Sequence, residues 1–176
     1  MSHTHTQKHT QKHKQKVPQR YIPKQLTKKD RKKQQQELKR SRRLYRQGKY
    51  YTRTKLPSFP NKVSPHILAA RKIYNITEIR PSPLLAKKTG CSLKALEHIV
   101  KKGEGAYFSS GSRPNQSAQS WGYARLASAI TGGKASAVDY SILKSGCKRD
   151  SKALHLAETS GHLKTHGTRR VPKVLL

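Results

Sequence analysis

The chain has 176 residues and a formal net charge of +31, from 39 Lys plus Arg against 8 Asp plus Glu. Only 32% of the residues are hydrophobic, too few for one core running the whole length. No run approaches the ~18 apolar residues of a membrane-spanning helix, and the first residues lack the apolar stretch of a secretory signal. Two cysteines are too few for a disulfide framework, so free thiols in a reducing compartment are expected.

Such a charge repels itself and calls for a polyanion or an acidic partner. DNA, RNA and anionic membrane all fit on charge alone. A membrane-surface helix needs an apolar stripe opposite its basic face, and the Gln- and Lys-rich stretches lack one. Nucleic acid, or a dense assembly containing it, is the better match. The first third is the denser cation. Residues 1–62 hold 20 Lys/Arg against only Asp30 and Glu37, whereas residues 63–176 hold 19 against six acids.

In chain order, residues 1–20 are of low complexity, with His3, His5, His9 and His13 among Thr, Gln and Lys. They offer almost nothing to bury and read as a disordered tail. Residues 21–62 read as a basic arm. Tyr21 to Leu26 form a short extended anchor. Thr27 then N-caps a helix with Asp30 in its first turn, ending near Gly48. Leu38, Leu44 and Tyr45 give this helix one thin apolar stripe, so it needs a partner. Residues 49–62 read as an extended linker. There Tyr50, Tyr51 and Phe59 interleave with Lys49, Arg53 and Lys55, a mixture that suits base stacking with phosphate contact. The same aromatics would equally strap the segment to a protein surface.

From Val63 to Cys147 the composition becomes that of a small helical domain. Ser64 and Pro65 start a helix through Tyr74, with Ile67, Leu68, Ala69, Ile73 and Tyr74 facing inward. Pro83 opens a second helix. Another runs from Leu93 to Lys102 and ends at Gly103, and a Gly/Ser/Asn loop covers 104–120. Further helices fit Trp121–Ile130 and Ala135–Ser145, the latter closed by Gly146. Residues 148–176 read as a basic tail, disordered at its end, with a short helix at 151–160. The fold class is mainly α, without internal repeats.

The sharpest local pattern is a helix-turn-helix over Ser82–Lys101. Ala86 and Gly90 take the small and turn positions, and Leu85, Leu96 and Ile99 the apolar ones. Ser92, Lys94 and Ala95 would open a recognition helix toward a groove. Any tight helical pair produces the same pattern, and that packing explanation stands ahead. Gly132-Gly133-Lys134 fails as a phosphate loop, because Ser128 and Ala135 stand where Gly and Ser/Thr are required. The glycines of 103–111 could form an anion nest, although pinning of the segment by Tyr107 and Phe108 is preferred. Cys91, Cys147, His98, His155, His162 and His166 lack metal-site spacing. Asp139 and Glu97 read as isolated acids. No residues suggest catalysis, a cofactor or a small-molecule substrate.

Two stretches carry a resemblance. One is Tyr21-Ile22-Pro23 with Asp30-Arg31-Lys32-Lys33-Gln34 and Gly48-Lys49-Tyr50-Tyr51-Thr52-Arg53. The other runs from Gly103-Glu104-Gly105-Ala106-Tyr107-Phe108 through Arg113-Pro114-Asn115-Gln116 and Trp121-Gly122 to Ala135. Across about 21–147, the chain resembles a family of small basic proteins of unknown biochemical function from large eukaryotic double-stranded DNA viruses, including the phycodnaviruses. The resemblance implies a virion protein made in the host cell. It would be a non-enzymatic minor capsid protein beneath the outer shell, joining the major capsid protein to other minor capsid proteins or to anionic inner-membrane lipid heads. On this expectation Lys28, Lys29, Arg31, Lys32, Lys33, Arg40, Arg42, Arg43 and Arg53 supply charge, and Tyr21, Tyr50, Tyr51 and Phe59 act as anchors. The alternative is a viral DNA-binding or genome-condensing protein that uses the same arm plus Ser92 and Lys94.

Overall fold

Residues 15–165 and 171–176 are described in the structure, a computed structural model. Among them the chain is mainly α-helical, with eight α-helices and one two-stranded ribbon. Thr27 starts the first helix, α1 (Lys28–Arg46), by accepting a hydrogen bond from the Asp30 amide at 3.2 Å. Gly48, at φ +72°, turns the chain out of it. An extended segment follows, then α2 (Pro65–Tyr74), α3 (Pro83–Thr89), α4 (Leu93–Ser109) and α5 (Ala118–Ile130). The last helices are α6 (Lys134–Val138), α7 (Tyr140–Gly146) and α8 (Lys152–Thr159). The strands β1 (Lys16–Pro18) and β2 (Lys173–Leu175) pair antiparallel, with Val17 opposite Val174.

Two apolar clusters organise the molecule. The larger lies among α2–α8 and includes Leu85, Leu96, Ile99, Leu126, Ile130 and Leu143, all fully buried. The smaller gathers Val17, Tyr21, Ile22, Leu26, Leu38 and Leu56, with Phe59, Trp121, Val174 and Leu176 at its edge. The segments expected to form an arm therefore lie against α1 and α5 as a second layer.

Several expectations are corrected. The helix expected to stop at Gly103 continues to Ser109. Gly103 is a helix–helix contact rather than a cap: a Cβ there would sit 2.6 Å from the Cα of Gly122 on α5. The two glycines let α4 and α5 approach closely, and the expected 104–120 loop shrinks to 110–117. The anion nest is excluded for most of its length because that backbone is helical. On α5, Ser117 and Ser120 form a reciprocal capping box, so the helix begins at Ala118 rather than Trp121. The expected helix over 135–145 is broken at Asp139 into α6 and α7. Leu68 and Ala69 face solvent, while Ala70 and Tyr74 enter the core. Residues 148–176 are not all tail, since α8 buries Ala153, Leu154 and Ala157 and β2 pairs with β1. Of the expected 1–20 tail, residues 1–14 lie outside the described residues, and Lys16–Tyr21 form β1 and a 3-10 turn.

Free thiols were also expected, and the cysteines instead form a disulfide, Cys91–Cys147. They face each other in an antiparallel bridge flanked by Ser92 N–H to Gly146 O, 2.7 Å, and Lys148 N–H to Gly90 O, 2.9 Å. Sequence separation hid this pairing; the packing of α7 against α4 creates it.

Candidate polyanion interface

Among the described residues the extended segment after α1 has no strand partner, yet its amides need acceptors. Side chains supply them at Arg53, Thr54, Leu56 and Ser58. The Arg53 amide donates to the Tyr107 hydroxyl at 3.1 Å, and that of Thr54 to Glu37 Oε2 at 2.9 Å. The Leu56 amide donates to Asn115 Oδ1 at 2.7 Å, and that of Ser58 to Asp30 Oδ2 at 3.0 Å. The Asn115 side chain also donates to the carbonyls of Leu56 and Phe59. Ser58 Oγ donates to Asp30 at 2.6 Å, and these Ser58 bonds hold the Asp30 carboxyl below its ordinary pKa. Tyr51 donates to both oxygens of Glu37. Burial, then that bond, pushes its phenol up.

This accounting fixes the charge pattern of α1. Its only acids, Asp30 and Glu37, lie two turns apart on the buried face with Gln34, Leu38 and Ser41. Lys28, Lys29, Lys32, Lys33, Lys39, Arg40, Arg43 and Arg46 are exposed. At about 100° per residue they share an arc of about 140°. The result is a cationic stripe about 28 Å long at 1.5 Å per residue, with no acid on α1 to interrupt it.

The other site expectations divide. Arg31 leaves the stripe and donates to the carbonyls of Pro23 and Lys24. Arg42 is half-buried, and among the described residues its Nη1 is a buried donor without a hydrogen-bond partner. Tyr21 is buried edge-on against Trp121, so it holds the protein together rather than meeting a partner. Phe59 is likewise packed against the second cluster. Tyr51 lies under Arg40, whose guanidinium carbon is 4.4 Å from the ring centroid.

Arg53 is the largest departure. It is buried, its guanidinium 3.7 Å from the Tyr107 ring centroid. Nη1 donates to Ser41 Oγ (2.9 Å) and the Tyr107 carbonyl (3.0 Å), and Nη2 to Ser112 Oγ (2.6 Å). Burial lowers its pKa from the ordinary guanidinium value. It is a cross-brace between α1, the extended segment and the end of α4, not a phosphate contact.

The helix-turn-helix pattern is present as packing. Leu85, Leu96 and Ile99 are fully buried and Gly90 has φ +73°. Ser92 accepts from the Ala95 amide as the N-cap of α4, and Ser92 and Lys94 are both exposed. The exposed side chains there, Lys94, Glu97, His98 and Lys101, are of mixed charge. The disulfide and the Gly146–Ala95 contact cover one flank of this first turn. The stripe on α1 is therefore the stronger electrostatic surface.

Sequence reasoning missed other groups. Asp139 is fully buried and takes a two-point bond from Arg125, 2.7 and 2.8 Å, plus Lys102 at 2.8 Å. It is an ion-paired brace between α4, α5 and the α6–α7 junction, not an isolated acid. The Gly132–Gly133 turn packs against the Leu156 carbonyl and Ser128. Among the described residues no cluster of three or more His, Cys, Asp or Glu could hold a metal ion. His166 lies outside them. No helix among them is long and apolar enough to cross a membrane.

Residues 18–147 match the model of a family described as Family of unknown function (DUF5824). The match covers well over half of the chain, and the chain belongs to that family. Its span includes α1, the extended segment and both cysteines, and ends on Cys147. No curated protein and no solved structure is significantly similar to it.

Proposed function

We propose that the chain is a non-enzymatic structural protein of a double-stranded DNA virus particle that holds the packaged DNA by its phosphates. The basic arm, residues 21–62, is the binding element. The observation that supports this is the outer face of α1, eight exposed cations on a helix whose acids both point inward. Neutralising phosphates with Lys and Arg releases condensed counterions and needs no base contacts. Packing α1 on the rest of the protein holds the cations on one side in advance, so folding of the helix is not a cost of binding.

A minor capsid role is the second reading. An arm threading between capsomers needs free apolar anchors, and Tyr21, Ile22, Leu26 and Leu56 are buried in the protein's own second cluster. What favours this reading is exposed apolar surface elsewhere: Val63, Leu68, Leu84 and Val138 are each more than half exposed. Shell proteins could cover such residues. The partners would then be the major capsid protein, other minor capsid proteins or anionic inner-membrane lipid heads, beneath the outer shell.

Cross-linking of intact particles, with and without nuclease, separates the two. Release by nuclease, with few links from Lys28–Lys49 to shell proteins, is the result expected for DNA binding. Dense links to shell proteins that survive nuclease would replace it with the capsid role.

A further inference from the structure

The far end of the cationic stripe carries an aromatic cluster. Tyr45, on the last turn of α1, stacks with Phe108 of α4, ring centroids 6.2 Å apart and planes 8° from parallel. Tyr50 meets both rings edge-on, at 6.0 Å from Tyr45 and 5.0 Å from Phe108. Tyr107 supports Phe108 from behind at 5.0 Å and is itself fully buried beneath Arg53. Tyr50 nevertheless remains 75% exposed. A rigid base of aromatic rings thus holds one large ring out into water. Core packing does not require that, because Tyr107 and Phe108 already close the gap between α1 and α4.

The charge around this ring is positive. Lys49 precedes Tyr50, Arg46 ends α1, and Arg42 stands one helical turn before Tyr45 and Arg46. The buried Nη1 of Arg42 has no partner among the described residues. Of the acids on α1 and α4, Glu37 is held by Tyr51 and Thr54, and the Cγ of Glu104 lies beside Gly122 of α5.

We infer that Tyr50, braced by Tyr45 and Phe108, is a stacking platform for an unpaired nucleobase, and that α1 tracks the phosphates of the same single strand. This rests on the proposed phosphate binding by α1 and extends it from duplex backbone to unpaired nucleic acid. Every base has a π face, so the platform is tolerant of sequence. The stripe is about 28 Å long, enough to follow several phosphates of one strand, and single-strand sites of similar chemistry take roughly 4–16 nucleotides.

Fluorescence anisotropy with a labelled oligothymidylate, a duplex of equal length and polyglutamate tests this, using the full chain with Tyr50→Phe and Tyr50→Ala. Tyr50 is exposed, so neither change threatens folding. Tyr50→Ala is expected to weaken single-strand binding about fivefold to hundredfold. The Phe variant retains it, duplex affinity stays put, and the salt slope is unchanged. An equal loss on duplex and single strand, or no loss, overturns the platform while leaving the α1 contact standing. An equal loss on polyglutamate makes the ring a protein contact and also overturns it. Wild-type protein that binds neither nucleic acid overturns the α1 contact and the platform together.

Discussion

Among α2–α8 the protein buries eighteen apolar residues in one cluster; between Val17 and Leu56 it buries six. The first region is held by area removed from water, with the Asp139 ion triad as one charged brace inside it. The second is held by directed bonds, in which Asp30, Glu37, Asn115 and Tyr107 each receive an amide of one extended segment. Arg53 closes that arrangement without a carboxylate in contact. The difference shows how a chain this basic keeps a uniformly cationic face. The few acids near the dense cation are needed inside, and drawing them inward strips the outside of negative charge.

The largest expected effect falls on the helical region. The disulfide joins residues 56 apart in sequence, and opening a loop of that length is expected to cost about 4 kcal/mol. Urea unfolding with and without reductant measures this; equal midpoints would mean that the crosslink contributes nothing. In the second layer, Arg53→Met leaves two hydroxyls and a carbonyl without their donor, an expected loss of about 3 kcal/mol. Hydrogen exchange should show α1 amides opening earlier while the α4–α5 pair stays protected. Uniform loosening of both regions would contradict their separate bonding. Gly103→Ala drives a methyl toward the backbone of Gly122 and should cost about 2 kcal/mol, this time exposing the α4–α5 pair.

Smaller still is the effect of Asp30, whose carboxyl is held below its ordinary pKa by Ser58. A depressed carboxylate pKa means that the unfolded chain takes up the proton first. The stability it supplies is thus complete above about pH 4, the unfolded value, and is lost as pH falls through the folded one. Asp30→Asn should be less stable than the parent at pH 7 and show a shallower decline in acid. Parallel pH profiles for the two proteins would remove Asp30 from the account.

Much of this was legible because the signals are local. Thr27, Gly48, Pro65, Pro83 and Gly90 mark helix ends by their own backbone chemistry, and α1, α2 and α3 lie where those residues put them. The inward acids were also readable in principle, since Asp30 and Glu37 are seven residues apart and hence on one helical face. What failed depended on distant partners. Gly103 looks like a helix stop until Gly122 is placed against it. Arg53 resembles a phosphate contact until Ser41, Ser112 and Tyr107, from three parts of the chain, surround it. Tyr45 and Phe108 join Tyr50 only because α4 continues past its glycines.

The most direct measurement is the salt dependence of duplex DNA affinity for the wild type and a Lys32→Gln, Lys33→Gln, Arg40→Gln, Arg43→Gln variant. These side chains are exposed on α1, and each change should move stability by no more than about 0.5 kcal/mol. Between about 50 and 200 mM salt, the slope of log K on log salt should become shallower by about 0.9 for each phosphate contact removed, hence by about 3 to 4. A slope unchanged in the folded variant, or wild-type binding indifferent to salt, would contradict phosphate recognition by the outer face of α1.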